Sequence, residues 1–126
     1  MRAVDTNVLV RLITRDQPKQ VTSAEEFVAR GAWVSLLALA ETSWVLSAVY
    51  ERRPDDIAVA IEMLLAHEHL TLQDPDVASA ALAHFRKKPA LSFSACLLLE
   101  MARKAGHLPL GTFDRDLGKL PGAERL

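Results

Sequence analysis

At 126 residues the chain has room for one domain with a real core and too few for two. Half of it is apolar, 25% is charged with both signs mixed, and the formal net charge is −1. This excludes a disordered chain and a bulk polycation, so any nucleic-acid contact has to come from a local patch or from metal ions.

The N-terminal apolar run Ala3-Val4 reads as a short buried strand that stops at Asp5. An amphipathic run carrying Val8, Leu9, Leu12 and Ile13 follows at once, so the pattern is strand, tight turn, helix. Asp5, Thr6 and Asn7 are three candidate N-caps for that helix. Asp5 would stand outside the carboxyl end of a parallel strand, where open α/β sheets bind ligands. The break at Asp5 also argues against a signal peptide. A second helix starts at Pro18, with Val21, Ala24, Phe27 and Val28 on its core face, and Gly31 ends it.

Residues 32–35 form the second strand, and Ser35 caps a helix running to about Tyr50. Glu41 is its one charged residue, among Leu37, Ala38, Trp44 and Val45; it also prevents the region from reading as a membrane span. A carboxylate there is costly unless a cation or donors meet it. That leaves a metal ligand near the strand ends, an arginine partner or an edge open to solvent, and the first is the sharper reading. Asp55 or Asp56 would cap the next helix, which carries Ile57, Ile61, Leu64 and Leu65. His67 and His69 are two apart and share no helix face, so they do not read as a metal pair.

Leu70-Thr71-Leu72 is a brief strand, and Asp74-Pro75-Asp76 caps a helix with Val77, Ala81, Leu82 and Phe85 inward and Arg86-Lys87-Lys88 at its end. Ser92 to Ala95 opens a densely apolar helix whose polar exceptions are Glu100, Arg103 and Lys104; Gly106 stops it. Its Cys96 is the only cysteine, which excludes an internal disulfide and suits a reducing compartment such as the cytoplasm. A last strand leads into Thr112-Phe113-Asp114-Arg115-Asp116, then a turn over 117–121 and an edge strand over 123–126.

The alternation argues for a parallel sheet covered on both faces. Asp5, Glu41, and Asp114 with Asp116 then fall at strand ends or just inside the following helix. Hard oxygen ligands without His or Cys suit Mg²⁺ or Mn²⁺, which can activate water for displacement at phosphorus. Asn7 and Thr112 could orient the ligands or a phosphate.

Asp5-Thr6-Asn7-Val8-Leu9, the helix from Ser35 to Glu41, Phe93-Ser94-Ala95-Cys96 and Thr112 to Leu117 together resemble the PIN domain, and more narrowly the VapC toxins of bacterial toxin–antitoxin pairs. The likeness spans residues 1–126 as one PIN domain. It implies a three-layer α/β/α sandwich with a short, mostly parallel sheet, and a metal-dependent endoribonuclease. Also implied are homodimers, a VapB-type antitoxin partner, and no membrane association. By position, Asp5, Glu41 and Asp114 would be metal ligands and Asp116 a nearby acid acting through water. The family pattern has Phe-Ser-Asp-Cys where this chain has Ala95, so a principal ligand is missing and activity is weakened or lost. An otherwise intact motif reads as a point replacement of that aspartate. The rival within the family is a non-catalytic pseudonuclease that binds antitoxin or RNA. A phosphatase fold would want an acid where Asn7 stands, and no G-x-G-x-x-G supports a dinucleotide fold.

Overall fold

A computed structural model describes all of residues 1–126. The order is β1 (Arg2–Ala3), α1 (Thr6–Thr14), α2 (Pro18–Val28), β2 (Ala32–Val34), α3 (Leu36–Ala48), α4 (Pro54–Ala66), β3 (Leu70–Leu72), α5 (Pro75–Lys87), α6 (Phe93–Ala105), β4 (Leu110–Thr112), a 3-10 helix (Leu117–Lys119) and β5 (Ala123–Arg125). This is the expected α/β class, dominated by helices around a small parallel sheet. No helix is long and apolar enough to cross a membrane.

Strand β2 lies between β1 and β3 and is parallel to both, with Ala3 opposite Trp33 and Val34 opposite Leu72. Ala32 and Val34 are fully buried, as a central strand requires. The first strand differs from expectation: it is Arg2–Ala3, both exposed, and Val4 follows it, buried, donating its N–H to the Trp33 carbonyl at 3.0 Å. The C-terminal strands also depart from a single sheet. β4 pairs in parallel with β5 alone, Leu110 opposite Ala123, and the two form a separate sheet. β1 contributes only two residues, so the edge it offers a further strand is short.

The core is built from Leu9, Leu39, Leu46, Ile61, Phe93 and Leu99, all sealed from solvent. Phe85 and Phe93 meet edge to face at 6.1 Å, joining α5 to α6. The expected acidic caps of α4 and α5 do not form. Pro54 and Pro75 occupy the first turn of their helices, and neither Arg53 nor Asp74 makes a capping hydrogen bond through its side chain. Asp55 and Asp56 lie inside the first turn of α4, where the helix dipole favours them. Asp74 and Asp76 instead accept from Lys104 Nζ on α6, at 2.9 and 3.0 Å. Those bonds raise the Lys104 pKa, Asp74 contributing most, and Lys104 lowers that of Asp76.

Candidate functional site

The carboxyl end of β1 turns directly into α1, so its last residues present their polar groups beside the start of α3. Of the three candidate caps, Asp5 takes the role: it is extended, and its Oδ1 accepts the Thr6 N–H at 2.6 Å. Thr6 is buried, 7% exposed, and its Oγ1 donates to Glu41 Oε2 at 2.7 Å. One residue therefore touches both acids. The sequence offered Thr6 only as a candidate cap; its link to Glu41 depends on α1 packing against α3.

Glu41 is exposed, and no arginine meets it. Its helical neighbours Leu37 and Trp44 are 69% and 65% exposed, so the apolar surroundings that made the carboxylate look costly are an outer face and do not bury it. Ser35 caps this helix, its Oγ accepting from Ala38 N at 3.0 Å.

Asp114 is exposed and serves its own loop: its Oδ1 accepts from Leu117 N at 2.8 Å, opening the 3-10 helix. Thr112 Oγ1 accepts the Asp114 N–H at 3.0 Å. Asp116 is half-buried and makes no capping bond through its side chain. Asn7 is exposed and borders a recess of about 490 Å³ with Arg11, Gln20 and Phe27. Ala95, half-buried, is the third residue of α6, and its N–H is held by the cap Ser92 Oγ at 3.1 Å.

Asp5 and Glu41 are thus brought to a common residue, while Asp114 makes its hydrogen bonds within its own loop. No group of three or more His, Cys, Asp or Glu side chains is gathered closely enough to share an ion. The free oxygens at Thr6 are carboxylate oxygens only, which suits a hard divalent cation. Two such groups fit a loosely held, water-rich ion, since Mg²⁺ commonly binds through one or two carboxylates and keeps its waters. They do not make a closed cage.

Arg11, on the recess beside Asn7, is committed to protein partners. It donates to Tyr50 at 2.9 Å, Asp16 at 3.1 Å and Gln20 at 2.5 Å. The Tyr50 hydrogen bond raises its pKa, while the Thr14 hydroxyl lowers that of Asp16. Arg15 pairs with Glu25 and Arg86 with Glu62. Arg52, Lys87 and Lys88 have no acidic partner and so are among the cations free to meet a phosphate.

A family model for the PIN domain matches residues 2–123. No curated protein and no solved structure matches the chain.

Proposed function

The chain belongs to the PIN domain family, and from that premise we propose that it is a ribonuclease of the VapC toxin type, one PIN domain over residues 1–126, impaired at its metal site. Family members are generally metal-dependent nucleases and commonly bind RNA. The observation that carries the reading is the convergence of Asp5 and Glu41, far apart in sequence, on Thr6 at the carboxyl end of β1.

In this reading Asp5 and Glu41 hold Mg²⁺ or Mn²⁺ through the oxygens their protein donors leave free. Asp114, held in its own loop, would join them only by moving toward Thr6, and Asp116 would assist through water. A divalent cation held by these residues would supply water activation and charge neutralisation for displacement at phosphorus. Asn7, two residues after Asp5, and Thr112, whose hydroxyl accepts the Asp114 N–H, would orient groups around the site. Arg52, Lys87 and Lys88 supply local cationic contacts on a chain whose net charge is −1. The toxin assignment carries a homodimer, a VapB-type antitoxin that covers the site, and a cytoplasmic place of work.

Ala95 favours a second reading, a non-catalytic module that binds antitoxin or RNA. The two separate on one substitution. An aspartate as third residue of α6 lies where the helix dipole favours an anion. Ala95→Asp is expected to raise Mg²⁺-dependent cleavage of a mixed RNA pool on the order of a hundredfold, with chelation abolishing it. A folded Ala95→Asp protein that leaves RNA intact in Mg²⁺ and in Mn²⁺ would hand the case to the binding module.

A further inference from the structure

We propose that Thr6 is a positioning residue that fixes the spacing and orientation of the Asp5 and Glu41 carboxylates, a role that rests on their assignment as ion ligands. Its backbone N–H goes to Asp5 Oδ1 at 2.6 Å and its hydroxyl to Glu41 Oε2 at 2.7 Å. Both donors belong to one residue with a β-branched, rotamer-restricted side chain, itself buried. Their relative placement is therefore as rigid as the first turn of α1. Each bond occupies one oxygen of its carboxylate and leaves Asp5 Oδ2 and Glu41 Oε1 free to accept.

The hydroxyl's choice of partner is unusual within this chain. Thr22 and Thr42 donate to the carbonyl four residues earlier, the ordinary local bond of a helical threonine, at 3.0 and 2.7 Å, and the Thr14 hydroxyl also stays local, 2.9 Å from the Val10 carbonyl and 2.7 Å from Asp16 Oδ1. Thr6 is the first residue of its helix and has no earlier turn to return to. Its hydroxyl crosses to α3 instead and becomes the one side-chain hydrogen bond that Glu41 receives. Two neighbouring carboxylates repel each other and would otherwise splay into solvent; a shared donor residue holds them on the same side of the α1–α3 contact.

The test compares the chain with Thr6→Val, which removes the hydroxyl at nearly constant shape and keeps the N–H to Asp5, and with Thr6→Ser, which restores the hydroxyl. Two readouts are taken on proteins shown to be folded by circular dichroism: the dissociation constant for Mn²⁺ alone, followed by paramagnetic broadening, and the mobility of the Glu41 methylenes from side-chain ¹³C relaxation. Thr6→Val is expected to weaken Mn²⁺ binding about tenfold and to free the Glu41 side chain. Thr6→Ser is expected to recover most of both. Unchanged Mn²⁺ affinity or unchanged Glu41 order in Thr6→Val would overturn the positioning role. Glu41→Gln is the control on the underlying assignment: if it binds Mn²⁺ as the parent does, Glu41 is no ligand and the ion-site reading fails. The ¹³C measurement still decides then whether Thr6 orders Glu41.

Discussion

Cys96 is the fourth residue of α6, with its thiol sealed from solvent. Burial first, and the Glu100 charge second, push the thiol pKa up to about 11. In an unfolded chain the thiol ionises near 8.5. The folded state therefore holds the proton more tightly, and the stability this contributes is complete below about pH 8.5 and lost as pH rises toward about 11. Cys96→Ala is expected to show a shallower alkaline loss of stability than the parent across that window, measured by urea unfolding at stepped pH; equal slopes would refute the assignment. Glu100, one of the polar exceptions on α6, is only 8% exposed, held by His84 Nε2 at 3.0 Å and Arg103 Nε at 3.2 Å.

The six helices begin in two ways. α1, α3 and α6 carry a side-chain cap, from Asp5, Ser35 and Ser92; α2, α4 and α5 begin with proline and have none. The capped helices are the ones that bear Thr6, Glu41 and Ala95. A cap ends the helix at a fixed residue, so it also fixes where the first-turn side chains point. Ser35→Ala is expected to cost about 1 kcal/mol in urea unfolding. If Ser35→Ala unfolds as the parent does, the cap contributes nothing measurable. The C-terminal elements depend on a small residue. A Cβ at Gly118 would lie 2.8 Å from Arg125 Cβ, so the 3-10 helix rests against β5 only because that side chain is missing.

The molecule divides its hydrogen bonding between two small sheets, and this sets an order of local stability. α3 and α6 pack on the core through Leu39, Leu46 and Leu99, and the strand between β1 and β3 is sealed at Ala32 and Val34. β4 and β5 keep no fully buried residue and hold mainly each other. Amide hydrogen exchange is expected to show β4 and β5 exchanging well before Val34, Leu39 and Leu99. Uniform protection across both sheets would refute this hierarchy. Asp114 follows β4, so the same hierarchy makes its loop the adjustable side of the proposed ion site.

The sequence by itself determined the order of elements, the second, third and fifth strands to within a residue, the cap at Ser35, and the family. Those signals are local: a helix face, a cap or a short motif is written within a few neighbouring residues. Tertiary structure alone decided that Thr6 joins Asp5 to Glu41, that Leu37 and Trp44 face solvent beside Glu41, that Glu100 is buried against His84, and that β4 leaves the main sheet for β5. Each of these is a meeting of residues distant along the chain, fixed by which helix packs against which. Spacing in the sequence carries no record of such a choice.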